Sequence, residues 1–234
     1  MDDQLTLNRS HIIGLCDEVL KRNIKMMFNT PNGLWVNSLR EEVIAKMVEA
    51  GLVYANLAIE HGDDHIRNNV IGKNLERDKI YEANRLLKKY KVKTVGMFLM
   101  GFPEDTNETL QNSYNMMEEL ELDNYSVQTV IPFPETKLFN QVVKEKILLG
   151  NWNMDELWRT PITLGQYGQK QGFLIKPHNM SLDSLEKWRS KFDEIKLKYW
   201  TIASKKTKYA NLTKLPANKI PKKNSGLIFE SLEP

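Results

Sequence analysis

Cysteine is nearly absent from this chain of 234 residues, which has one, Cys16. No intrachain disulfide can form, no site can be built from several cysteines of this chain, and a reducing compartment is the natural setting. No run approaches the roughly 18 consecutive apolar residues needed to span a bilayer. The N-terminus, MDDQLTLN, is acidic and polar where a signal peptide is basic and then apolar. A cytoplasmic protein without membrane contact is therefore expected. The phosphate-loop pattern GxxxxGK followed by Ser or Thr, the GxSxG of serine hydrolases and the HExxH of zinc proteases are also missing. Histidine is scarce, and the last of the four, His178 in KPHNM, stands alone.

What is present suffices for a globular core. Hydrophobic residues make up 41% of the chain and charged residues 27%, a balance that suits one domain with or without an appendage. The net charge of +3 is unevenly spread: from Ser204 to Pro234 seven lysines stand against two glutamates. With Pro216, Pro221 and few aromatics, that stretch reads as a solvated, disordered tail rather than a nucleic-acid contact.

Periodicity divides the body into repeating units. NRSHIIGLCDEVLKR (8–22) places Ile12, Ile13, Leu15, Cys16, Val19 and Leu20 on one side of a helix, and KMMFN (25–29) follows as a short strand. Ser38 suits the N-cap of a helix over 39–51 that ends at Gly51, and LVYANLAIE (52–60) is the next strand. A helix over 77–91 and the strand VKTVGMFLM (92–100) repeat the pattern, with Thr106 or Asn107 capping a further helix through Leu120. YSVQTVI (125–131), the turn PFPET and a helix over 137–146 complete it. Four strands alternating with helices predict a parallel sheet with right-handed crossovers, covered on both faces.

The expected fold is α/β, a partial (β/α) TIM-like barrel over 1–146, entered partway round. An extension over 147–203 carries the amphipathic helix SLDSLEKWRSKFDEIKLKYW, with Leu185, Trp188, Phe192, Ile195 and Trp200 as its core stripe, and the basic tail occupies 204–234. In such folds the site forms at the C-terminal strand ends, here PNGLWVN (31–37), EHGDD (60–64), GFPED (101–105) and PFPET (132–136). HGDDH (61–65) has the His spacing of a metal site on a helix, but Gly62 directly after a strand makes it a loop, so no metal site is expected.

The series MDDQLTLN (1–8), PNGLWVNSL (31–39), LAIEHG (57–62), FLMGFPEDT (98–106) and IPFPETKLF (131–139) resembles, in order and spacing, the radical S-adenosylmethionine (SAM) superfamily, particularly the subgroup often joined to cobalamin-binding domains. The resemblance covers about residues 1–146 and implies SAM as a cofactor. By it, Asp2 or Asp3 would meet the methionyl amino group, although Asp3 suits a helix N-cap equally well. Glu60 would reach the ribose or the amino-acid part, where its alternative is simply to face water. The run GMFLMG, with Gly96 and Gly101, would flank adenine, and Ile131 and Phe133 would close the other side of the base. Gly101 and Pro103 also suit a plain strand-to-helix turn.

Members of the superfamily hold a [4Fe–4S] cluster on the three cysteines of a CxxxCxxC loop, and thiolates are what such a cluster requires. This sequence has only Cys16, on the apolar face of a helix where a small core residue is expected. The implied chain is therefore the C-terminal part of a radical SAM core, inactive by itself, whose complete parent cleaves SAM reductively to a 5′-deoxyadenosyl radical, with cobalamin as a possible further cofactor. Self-association through the open barrel edge at KMMFN is expected to follow. Two alternatives stand beside this reading: a non-catalytic binding or scaffold protein, and a (β/α) enzyme using Glu60 and Glu104 as acid and base.

Overall fold

The computed structural model describes residues 5–149 and 172–206, with the side chains of 203–206 excepted. Asp2, Asp3, the segment 150–171 and the basic tail beyond Lys206 lie outside the described residues; residues 204–206, expected in the tail, close the last helix. The chain enters through α1 (Arg9–Lys21), capped by the Asn8 side chain, which accepts from the His11 amide. It then alternates β1 (Phe28–Leu34), α2 (Glu41–Glu49), β2 (Leu52–Glu60), α3 (Arg77–Lys89), β3 (Lys93–Met100), α4 (Asn107–Leu120), β4 (Asn124–Thr129) and α5 (Lys137–Lys144). The long α6 (Leu182–Lys206) comes last. The four strands pair in parallel in the order β1-β2-β3-β4.

Sequential strand order explains where the helices sit. Each right-handed crossover between neighbouring strands drops its helix on the same side of the sheet, and covering the second side needs a reversal of strand order that is absent from this sheet. The core confirms it. Ala55, Leu57 and Ile59 of β2, Phe98 and Met100 of β3 and Tyr125 of β4 join buried residues of α1, α2, α3, α4 and α6 in one cluster. The alternate residues Tyr54, Asn56, Ala58, Glu60, Met97 and Ser126 are only half-buried, and Gln128 is exposed. The expectation of a sheet covered on both faces is thus corrected: among the described residues, helices cover one face and the other is open.

Three local expectations also change. β1 starts at Phe28, because its amide donates to the Gly51 carbonyl and its ladder with β2 opens at Phe28 and Leu52. Met26 and Met27 precede the strand and are exposed, and the first four residues of the expected loop PNGLWVN belong to β1. Pro31, lacking an N–H, lies within this edge strand and weakens it as a template for pairing with another copy. Ser38 does not cap α2. It closes a 3₁₀ turn (Val36–Ser38), its hydroxyl donating to the Trp35 carbonyl, and Arg40 takes the cap position without a side-chain bond. On α6, Leu185, Trp188, Phe192 and Ile195 are buried as expected, but Tyr199 rather than Trp200 completes the stripe; Trp200 is 42% exposed. The interval 185–188–192–195–199 keeps the helical period, and position 200 falls off it.

Other signals in the sequence hold. Thr106 caps α4 in a reciprocal box with Thr109, Ser181 accepts from the Ser184 amide at the start of α6, and Gly51 has φ +114°. The extension is tied to the C-terminal end of the sheet. Leu148 and Ile175 form an antiparallel bridge, the His178 amide donates to the Pro103 carbonyl, and the Thr129 hydroxyl donates to the Gly172 carbonyl.

Candidate functional site

The open face is lined by β1, β2, β3 and β4 in turn, and its most polar element is the end of β2. There Glu60 has φ +71°, a left-handed backbone conformation that is uncommon for a residue with a side chain. The His61 amide donates back to the Ile59 carbonyl at 3.0 Å, closing a γ-turn centred on Glu60. The ladder to β3 slips at the same place: Ala58 faces Met97 and Glu60 faces Phe98. The Glu60 carboxylate, half-buried, accepts from Lys73 Nζ at 2.7 Å.

Directly behind the turn lies a fully buried polar assembly. His61 is 0% exposed, and its Nδ1 accepts the Asp63 amide at 3.0 Å, so the proton sits on Nε2, which donates to Asp105 Oδ1 at 3.1 Å. The other carboxylate oxygen, Asp105 Oδ2, accepts the amides of Gly101 and Phe102 at 2.7 and 2.9 Å. One imidazole–carboxylate pair therefore joins the ends of β2 and β3. Gly62 donates to Ser113 Oγ on α4, and a Cβ at position 62 would run into the Ser113 backbone, so only glycine permits this approach.

Arg67, also 0% exposed, sits in a π-helical turn (Ile66–Val70). Its guanidinium donates to the carbonyls of Leu75, His61 and Gly62 and pairs with Asp64. Burial pushes the Asp63 carboxyl up, but bonds from the Ile66 amide and from Asn112 Nδ2 outweigh it and hold Asp63 below the usual carboxylate value.

The residues expected at the site separate into two groups. Glu60 stands at the rim of the open face, and Ile131, half-buried, and Phe133, 52% exposed, follow β4 at the same end of the sheet. Gly96 lies on the helix side: a Cβ there would come within 2.9 Å of Leu122 and 3.1 Å of the Tyr125 ring. A Cβ at Gly101, where φ is +95°, would meet the Phe173 ring at 3.5 Å. Within GMFLMG it is Met97 and Leu99 that alternate with the buried Phe98 and Met100; Met97 turns toward the open face, while Leu99 is partly buried against a second apolar cluster of Ile66, Phe102, Val130, Val142 and Ile175. Gly33, from the expected loop PNGLWVN, also packs on that face, since a Cβ on it would lie 3.1 Å from Ala58 Cβ and 3.2 Å from Met97 Sδ.

Glu104 accepts from Gln141 Nε2 at 2.9 Å through Oε1, while its Oε2 is buried with no partner among the described residues. In HGDDH, His61 is consumed by the Asp105 contact and His65 is exposed. The described residues contain no group of three or more His, Cys, Asp or Glu that could hold a metal ion, and no helix among them is long and apolar enough to cross a membrane.

Sequence reasoning placed Gly33, His61 and Asp105 in the site loops without reading their roles, and it missed Arg67 and Lys73. Asp105 before a helix reads as capping chemistry, and the order Glu-His-Gly after an apolar strand was the only local signal that the end of β2 was unusual.

Residues 6–117 match the family model of the radical SAM superfamily. An uncharacterised methyltransferase of Pyrococcus horikoshii is 26% identical over 153 residues, 65% of this chain and 33% of that protein. Coproporphyrinogen III oxidase of Escherichia coli, a radical SAM enzyme, matches in structure with a TM-score of 0.54 at 14% identity, over 81% of this chain and 38% of its own. The radical SAM methyltransferase TsrM of Kitasatospora setae, solved with cobalamin and a [4Fe–4S] cluster, also matches with a TM-score of 0.54, at 16% identity over 62% of this chain and 28% of its own. At these identities the two solved structures show the fold: a parallel sheet forming part of a radical SAM barrel. The chain spans about a third or less of the length of these curated relatives.

The superfamily implies SAM and a [4Fe–4S] cluster, and the residues fit the two differently. The open face carries groups of the kinds SAM needs, a carboxylate at Glu60 and apolar side chains at Met97 and, partly buried, Leu99. The cluster finds no match in the one cysteine. Cys16 is 3% exposed in the core, and burial, followed by the neighbouring Asp17 charge, raises its thiol pKa, the opposite of what a thiolate ligand requires.

Proposed function

We propose that this domain is the SAM-binding C-terminal part of a radical SAM enzyme core and that it binds SAM without cleaving it. The observation that carries the reading is Glu60, a carboxylate set on a left-handed turn at the rim of the open face, at the C-terminal end of β2. SAM has an adenine needing apolar walls, ribose hydroxyls, and an ammonium group needing an anion. On this reading the base lies over Met97 and Leu99, with Ile131 and Phe133 beyond it, and the Glu60 carboxylate accepts from the ribose or the ammonium group. Asp2 and Asp3 remain candidates for the amino group. Lys73 holds Glu60 in the ligand-free protein and competes with SAM for it.

Reductive cleavage requires a cluster that one buried cysteine cannot hold, so the residues of this chain are assigned binding and orientation only. The proposal does not extend to cobalamin. It also does not extend to acid–base chemistry by Glu60 and Glu104, which are engaged by Lys73 and Gln141.

Calorimetric titration of SAM tests the reading. The wild-type chain is expected to bind weakly, above micromolar, and Glu60→Ala to weaken binding by about 10- to 100-fold, the worth of one charge-assisted hydrogen bond. Unchanged affinity in Glu60→Ala would place the ligand elsewhere.

A further inference from the structure

A γ-turn with positive φ at its centre is the rarer and strained of the two γ-turn forms, and Glu60 adopts it with a full side chain. Such a conformation persists only where the surroundings over-determine it. Here the two residues after the turn are fixed by five hydrogen bonds. The His61 ring donates to Asp105 and accepts from Asp63, its carbonyl accepts from Arg67 Nη1 at 2.9 Å, and its successor Gly62 is bonded to Ser113 and to Arg77. None of these groups lies on the open face. Asp105 in turn grips the amides at the end of β3. The direction of the Glu60 side chain is thereby set from the far side of the sheet and locked to the strand that carries Met97 and Leu99.

We propose that His61 is a positioning residue, whose buried bridge to Asp105 holds the strained turn that presents Glu60 to the ligand on the open face. The proposal rests on the SAM-binding reading for the identity of the ligand, but the strain it invokes is measurable without one. An unstrained carboxylate at the end of β2 would need none of this anchoring, since a charged residue ending a strand turns to solvent unaided. His61, buried and fully bonded, is otherwise an expensive choice for a core position.

Two measurements on the full chain decide it. In thermal melts, Glu60→Gly and Glu60→Ala lose the same ion pair, but only glycine tolerates the turn. Glu60→Gly is expected to melt about 2–4 °C above Glu60→Ala. In a His61→Ala background, with the turn free to relax, that difference should vanish, and in a His61→Gln background, where the amide can still donate to Asp105, it should persist. Equal melting of the two Glu60 variants on wild-type His61 would overturn the proposal without requiring any His61 variant to fold.

In SAM titrations, His61→Ala is expected to cost about as much affinity as Glu60→Ala, the double variant to cost no more than either, and His61→Gln to recover most of the loss. Strictly additive losses would mean that His61 acts on general stability and not through Glu60. Wild-type chain that fails to bind SAM, or Glu60→Ala that binds it normally, would remove the SAM reading, while the melts would still judge the turn.

Discussion

The two faces of one sheet obey different rules. On the helix side, Leu57, Ile59 and Phe98 are at most 1% exposed and pack among side chains from five helices. On the open side, Asn56, Ala58 and Met97 of the same strands keep contact with solvent. Order at the rim of the open side comes from the hydrogen-bonded assembly of His61, Asp105, Ser113 and Arg67, set beside a small apolar cluster of Ile66, Phe102, Val130, Val142 and Ile175. One side of each strand therefore supplies stability and the other supplies placement, and the strand's alternation lets both be encoded in the same few residues.

The largest expected effect sharpens this contrast directly. Leu57→Ala on the covered face should lose about 2–5 kcal/mol of stability, whereas Met97→Ala on the open face should stay within about 1 kcal/mol. Urea denaturation of both variants checks the pair, and comparable losses would mean that the open face is packed after all. Next comes the rim. Gly62→Ala must push the β2–α3 loop away from the Ser113 backbone and should cost about 1–3 kcal/mol. The contrasting Gly14→Ala, on α1 with nothing within 4 Å of its Cβ, should stabilise by up to about 1 kcal/mol.

The smallest effect is in pH. The folded-state pKa of Asp63 is lowered, so its contribution to stability is complete above the unfolded-state value of about 3.9. It is lost as the pH falls through the lower folded-state value. Asp63→Asn should flatten this acid limb of the stability profile, and a limb unchanged from wild type would show that Asp63 gains nothing from its bonds to Ile66 and Asn112.

The repeating pattern of the body was readable because each helix announced itself by a 3.6-residue apolar period and each strand by a short apolar run. That sufficed for β2 at 52–60 without error and for β3 and β4 within two residues at either end. β1 was harder: NTPNG has no apolar run, and its strand conformation follows from pairing with β2 rather than from its own composition. At the site, Glu60 was visible as a charge ending a greasy strand. That the Cβ direction of Gly96 runs toward Leu122 and Tyr125 was not legible, because nothing in the spelling of GMFLMG says which alternate set faces the helices; only the whole sheet decides that. His61 and Asp105 are 44 residues apart, a distance at which local pattern carries no information about pairing.

The Gly62–Ser113 contact joins positions 51 residues apart, and it has a bearing on the order in which the molecule comes together. Local helices and the β1-β2 pair need little loop closure, but the end of β2 cannot take its final shape until α4 has docked behind β3. The rim around Glu60 is thus a late arrival on the folding route. Defects there should leave the rate of folding nearly untouched and appear as faster unfolding, in a region that frays while the barrel wall beneath it still stands.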